Sequence, residues 1–253
     1  MAGSGKGKRQ GRPGAGPVTE RKLDAGWAAA PGVRVRQALP ADMDAVRELA
    51  PLAGVTIDDE LADAVDAGTA GLALRAGLAR GRDGFSWHLA QEFAAHPDHP
   101  LIAYLSAALV LVAEHRDHGI VGTVAAYPPP NIAQAHLDAV GPGAGADVQE
   151  LLLLSCAAGL SRVRALAVAG PARGLHVGSA LLLRCRQVFF ACGYAVVYGQ
   201  MPPVPGLDAF YRSCGFEVLA PGEKLDLWPV FGVHSHIGAD PGERFFIRYR
   251  PDG

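Results

Sequence analysis

The chain has 253 residues, 49% of them apolar, with 23 basic against 25 acidic side chains and a formal net charge of −2. That length and apolar content suffice for one large domain with its own core, and no apolar stretch has the length and purity of a membrane span or a signal peptide. A cytoplasmic protein is therefore expected, and its four cysteines (Cys156, Cys185, Cys192, Cys214) include no C-x-x-C pair, so they read as reduced core thiols rather than a zinc ribbon or redox couple.

Charge is unevenly spread. Residues 1–30 carry six basic and two acidic side chains, net +4, which leaves 17 basic against 23 acidic, net −6, in the remainder. Rich in Gly, Ala and Pro, residues 1–30 offer little apolar area to offset their ordering entropy, so a disordered basic leader is expected. Such a tail could touch nucleic acid, but a solvated leader is the commoner reading. The folded part should begin with a strand at Val33-Arg34-Val35-Arg36-Gln37-Ala38, whose apolar positions alternate. Pro40-Ala41-Asp42 then starts a helix whose stripe is Met43, Val46, Leu49 and Ala50.

Residues 58–106 read as a helical insertion, with helices around 61–65, 72–79 and 87–94 broken by glycines. A hairpin follows, from Leu109–Ala113 and Ile120–Ala125 around the polar turn His115–Gly119. Residues 128–145, opening on Pro128-Pro129-Pro130 and closing on a Gly-rich run, read as a linker. Asp147 is a candidate cap for a short helix over 148–157, and Arg162 to Val168 is a strand.

After that strand the chain reads Ala169-Gly170-Pro171-Ala172-Arg173-Gly174-Leu175-His176-Val177-Gly178-Ser179, a Gly-rich turn opening into a helix. Amides left unpaired in a first helical turn, together with the positive end of the helix dipole, form an anion site. Gly174 and Gly178 lack Cβ, which permits positive φ and a close ligand. The run lacks the G-x-x-x-x-G-K-S/T of a nucleotide-hydrolysing loop, and it lacks the G-x-G-x-x-G and downstream acid of a dinucleotide fold. Val177, Leu181, Cys185, Val188, Phe189 and Cys192 share one helical face, which Gly193 ends. With a strand at 194–200 this makes a β-α-β unit of parallel strands. Further strands are expected near 216–219 and 244–250.

Arg173 to Gly178 resembles the pyrophosphate signature of the GNAT superfamily of acyl-CoA-dependent N-acyltransferases, R/Q-x-x-G-x-G/A. Arg173 and Gly178 are in register, and His176 stands where the first family glycine is usual. Phe210-Tyr211-Arg212-Ser213-Cys214-Gly215-Phe216 looks like the family's F/L-Y-x-x-x-G-F element, in the right order and separation. The opening strand and Pro40-Ala41-Asp42 are also similar to how such domains begin. The resemblance, over about residues 33–250, implies an α/β (α+β) single domain with a central mixed twisted sheet flanked by helices on both faces.

It further implies an N-acetyltransferase that carries acetyl (or another short acyl) from acetyl-CoA to a primary amine by direct attack in a ternary complex. The implied amine is that of a small molecule or of a peptide or protein. Leu166, Ala167, Val168, Arg173, Gly174, Leu175, His176, Val177, Gly178 and Ser179 would bind the cofactor. The strand end around Ala167 and Val168 would polarise the acyl carbonyl. Tyr211 would be the general acid for the leaving thiolate, although a ring packed in the core beside Phe210 is the plainer alternative. The insertion at 58–106 would wall the acceptor site.

Family members often carry an asparagine where this chain has Val204, and some carry a glutamate on the strand that here offers Ser161, Arg162 and Arg164. Glu114, His115 and Glu150 are base candidates by neighbourhood only, and a water chain or a partly neutral amine would serve equally. His234 and His236, like His96 and His99, are too few for a catalytic metal, so no metal is expected. Membrane and nucleic-acid partners are not expected either, and a homodimer is compatible with the fold. A second reading of the same residues is a non-catalytic acyl-CoA sensor or interaction module.

Overall fold

The computed structural model of the protein describes residues 17–141, 145–232 and 235–251. The amino-terminal half runs α1 (Glu20–Ala25), β1 (Trp27–Ala30), β2 (Val33–Gln37), α2 (Met43–Leu49), α3 (Asp59–Asp66), α4 (Leu72–Ala95), α5 (Pro100–Ser106), β3 (Leu109–His115) and β4 (Gly119–Tyr127). Then come α6 (Pro130–Val140), α7 (Ala146–Gly159), β5 (Leu160–Val168), α8 (Val177–Ala191), β6 (Val196–Met201) and α9 (Leu207–Ser213). The chain closes with β7 (Glu217–Val218), β8 (Leu225–Asp226), α10 (Trp228–Phe231), β9 (His236–Ile237) and β10 (Arg244–Tyr249).

Eight strands form one sheet in the order β1-β2-β3-β4-β5-β6-β10-β7, while β8 and β9 pair separately. Only β5 and β6 run parallel, as the crossover through α8 demands; the other neighbours are antiparallel. Side chains alternate across β3, so Leu109, Leu111 and Ala113 join the core under α4, α7 and α8, and Val110 and Val112 join Met43, Val46, Leu61 and Val65 of α2 and α3. Helices thus cover both faces of a mixed sheet. Among the described residues no helix is long and apolar enough to cross a membrane.

Asp147 lies inside the first turn of α7, whose cap is Gly145, rather than capping it, and two larger sequence expectations also need correction. Residues 20–30 are not part of a disordered leader: they form α1 and β1, with Leu23 and Trp27 buried. The average composition of residues 1–30 hides these two large apolar side chains, and β1 gains a hydrogen-bonded partner in β2 that no local pattern announces. Residues 1–16 lie outside the described residues. The expected linker over 128–145 is interrupted by α6, which starts at Pro130, where a missing N–H leaves no helical bond unmade, and which buries Ile132 and Ala133. Residues 142–144 lie outside the described residues. The glycine-broken helices of the insertion are present, and Gly81 interrupts α4 with φ +74° and ψ −166°.

At Gly199 of β6, opposite Phe246 of β10, a Cβ would lie 2.2 Å from the Phe246 ring. Gly199→Ala is therefore expected to lower stability by about 2–3 kcal/mol, the upper part of the roughly 1–3 kcal/mol range for overpacking a core. Urea unfolding should show this as a lower midpoint at unchanged slope; a loss under about 0.5 kcal/mol would mean that the ring relaxes freely.

Candidate active site

β5 and β6 begin as neighbours and then separate. They are paired from Leu160↔Val196 to Val163↔Gly199, after which β6 stays with β10 as far as Met201↔Arg244. β5 instead stays with β4, and between Ala126↔Val163 and Ala125↔Ala165 it carries one extra residue, Arg164. Such a bulge bends its strand and shifts the side-chain alternation. Accordingly Val163 lies in one core and Ala165 in the other, on opposite faces of the sheet. Past the bulge the two parallel strands diverge around a cleft of about 1030 Å3.

The turn after β5 closes one end of that cleft. Ala169 N–H donates to Val121 O (2.9 Å), Arg173 N–H to Gly170 O (3.1 Å), and Arg173 Nε reaches back to Val168 O (3.2 Å). Gly174 follows at φ +80°, as expected for a residue without Cβ. Gly178 has no positive φ; its value is space, since a Cβ there would already touch Phe210 (3.4 Å) and Val168 (3.5 Å). The first amide of α8 with an acceptor in the turn before it is Ala180 N–H, to His176 O at 3.0 Å. Val177, Gly178 and Ser179 are the preceding helical residues, whose N–H groups have no place in the intrahelical ladder.

His176 is the helix cap at φ +59° and ψ +16°, the only non-glycine with positive φ among the described residues. The position where the resembling family has glycine is thus left-handed in this chain. His176→Gly should relieve a left-handed strain of about 1–2 kcal/mol while adding about 0.5–1 kcal/mol of unfolded-chain entropy. A net gain of roughly 0.5 kcal/mol or slightly more is expected in thermal unfolding. A loss of stability would show that the imidazole makes up for its backbone.

Opposite the turn, α9 is tied to β10 by Asp208–Arg244 (2.6 Å). This presents Tyr211, which is 7% exposed and lines the cleft. Its ring stacks on Phe246 (centroids 3.7 Å apart, 13° between planes) and meets Phe210 and Phe216 edge-on. Burial, with a smaller contribution from Cys214, pushes the phenol well above its ordinary range. It therefore carries its proton at neutral pH. The packed ring and the cleft-lining position are both present, so the two sequence readings of Tyr211 are compatible.

Of the ten residues expected at the donor site, nine line the cleft. Leu175 does not; its side chain is exposed. Val204 also lines the cleft, putting an apolar side chain in its wall. None of the base candidates Glu114, His115 and Glu150 is in that lining. Glu114 accepts from Arg34 (2.7 Å) and Arg36 (3.1 Å), which hold its carboxyl below the usual range, and His115 stacks on His118 at the hairpin turn. His236 lies near Asp226 (3.9 Å), and His234 is outside the described residues. Among the described residues no group of three or more His, Cys, Asp or Glu could hold a metal ion.

The sequence reading missed Asp240 and Glu243, which reach the cleft from the segment between β9 and β10. Those loops carry neither periodicity nor motif, so nothing local marks them.

No curated protein matches the chain. Solved structures similar to it include yncA from Salmonella typhimurium with its cofactor acetyl-CoA, at 15% identity, 88% of this chain and 96% of that chain, TM-score 0.43. Another is the PaiA N-acetyltransferase from Thermoplasma acidophilum in complex with coenzyme A (12% identity, 86% and 98% covered, TM-score 0.42). A third is the ribosomal-protein-alanine N-acetyltransferase from Brucella melitensis (17% identity, 85% and 98% covered, TM-score 0.41). The model of the acetyltransferase (GNAT) family matches residues 82–216, a stretch that runs from α4 through the diverging strands and the turn to Phe216. With more than half of its length matched, the chain belongs to the acetyltransferase (GNAT) family.

Proposed function

We propose that the protein transfers an acetyl or other short acyl group from acetyl-CoA to a primary amine, by direct attack in a ternary complex. The observation that carries this reading is the junction of the cleft with the start of α8, where the helical amides around Gly178 meet open space between two parted strands. A pyrophosphate suits those amides and the helix dipole. The rest of the donor would extend along the β5 edge, with Ala167 and Val168 beside the acyl carbonyl and their backbone amides as preorganised dipoles for the developing oxyanion.

The amine nitrogen attacks the carbonyl carbon, so a C–N bond forms as the C–S bond breaks. One proton leaves nitrogen and one reaches sulfur. Tyr211, protonated and at the cleft wall, is the residue suited to supply the second. The first can pass to water, because juxtaposition of the two reactants in one cleft supplies much of the rate.

Titrating acetyl-CoA into the full chain by calorimetry, then following thiol release with amines present, tests the reading. Micromolar binding and amine-dependent thiol release support it. Binding with no release by any amine would favour the acyl-CoA sensor, and no binding would overturn the donor assignment.

A further inference from the structure

A second cavity, of about 340 Å3, lies beside the cleft, and Arg162 and Arg164 of β5 line both. These two residues precede the stretch proposed to hold the acyl carbonyl. An amine approaching from the second cavity would therefore pass them on its way to the donor.

Neither is held in a close ion pair among the described residues, although Asp58 and Glu60 share the second cavity with them and Asp240 and Glu243 the cleft. Arg162 is paired only loosely, at 3.5 Å, with Asp240, whose side chain is 67% exposed. Arg164 has no ion-pair partner within 4.0 Å among the described residues; its guanidinium sits 5.9 Å from the Tyr127 ring centre and interacts with the Tyr127 hydroxyl. The carboxylate of Asp58, also in the second cavity, accepts the hydroxyl hydrogen of Tyr127. Guanidinium groups have a planar fork of donors matched to a carboxylate, and two of them two residues apart on one strand make a site for one. Leu61, Leu101, Leu105 and Pro129 give the same cavity an apolar wall, and its volume is at the lower end for a small-molecule site.

We propose that this junction is the acceptor subsite and that the acceptor is a small amino-acid-type amine: a carboxylate held by Arg162 and Arg164, an apolar side group in the second cavity, and the amino nitrogen facing the thioester. The inference rests on the donor reading above. The reaction would release the free thiol and an N-acyl amino acid, with the nitrogen losing one proton and the sulfur gaining one.

The test is thiol release by the full chain with acetyl-CoA and four probes: L-leucine, leucinamide, isopentylamine and spermidine. Leucine should exceed the other three in kcat/KM by about 30-fold or more, since a site built for a polar group rejects analogues lacking it. In Arg162→Gln and Arg164→Gln the leucine-to-leucinamide ratio should fall by about tenfold, and Arg164→Lys should recover part of it. The ratio is taken within each variant, so a general loss of folding or donor binding cancels. Leucinamide or spermidine matching leucine, or a ratio unchanged in both glutamine variants, overturns the proposal. Acetyl-CoA binding with no turnover of leucine overturns it while leaving the donor site standing, whereas no acetyl-CoA binding overturns both.

Discussion

Gly178→Glu is expected to abolish acetyl-CoA binding, with at least about a hundredfold loss of affinity, or roughly 2.8 kcal/mol. A Cβ at this position would touch Phe210 at 3.4 Å and Val168 at 3.5 Å, the two walls that meet there, so a longer side chain can extend only into the cleft. Its carboxylate would then lie beside the amides proposed for the pyrophosphate and repel the ligand. The fold should tolerate this, because an acid in the first helical turn is favourable by about 0.3–1 kcal/mol. Gly178→Ala, whose methyl makes only ordinary contacts, should lose less than about tenfold. Calorimetry on the three proteins decides the matter: a glutamate variant that binds within threefold of the parent would mean that the donor does not use the start of α8.

Tyr211→Phe should lower kcat by about a hundredfold or more, the range for removing a general acid, with little change in the KM for acetyl-CoA. The stacking on Phe246 needs only the ring, so the variant should fold normally. A shift in KM with kcat retained would point to a packing residue. The pH profile is a second check. An acid must be protonated to act, and burial raises this phenol above its usual value near 10, so the active form persists to higher pH than a solvated tyrosine would allow. The kcat profile should therefore show no alkaline fall assignable to Tyr211 up to pH 10. A fall that begins well below pH 10 and vanishes in Tyr211→Phe would contradict the burial argument. The same burial makes the phenol a weaker acid, so its proton should move only to a thiolate already desolvated in the cleft.

Much of this was legible without coordinates where the information is local. The apolar face of α8 at Val177, Leu181, Cys185, Val188 and Phe189, continued by its C-cap Cys192, is buried as its spacing indicates. The strands at 109–113, 120–125 and 162–168 lie within β3, β4 and β5. Side-chain period and glycine punctuation depend on a few consecutive residues, so such segments announce themselves. The requirement for a left-handed residue before α8 is also local. That His176 fills it could be read only as a departure from a family pattern, because an imidazole does not reveal its own φ.

What the sequence could not express was pairing over long separations. The bulge at Arg164 exists because β4 and β5 pair out of step, and that mismatch parts β5 from β6 and opens the cleft. Trp27 joins the core only because β1 finds β2, and Arg162 meets Asp240 across 78 residues. Periodicity and glycine punctuation determined the order of the central elements and the turn that could hold an anion, and the two motifs that resemble a known family carried the class of fold. Tertiary structure alone decided which carboxylates reach the cleft and which, like Glu114, are consumed in ion pairs elsewhere. The reason is physical: local patterns report the hydrogen bonding and burial of one segment, while a site is assembled from segments whose proximity depends on the whole sheet.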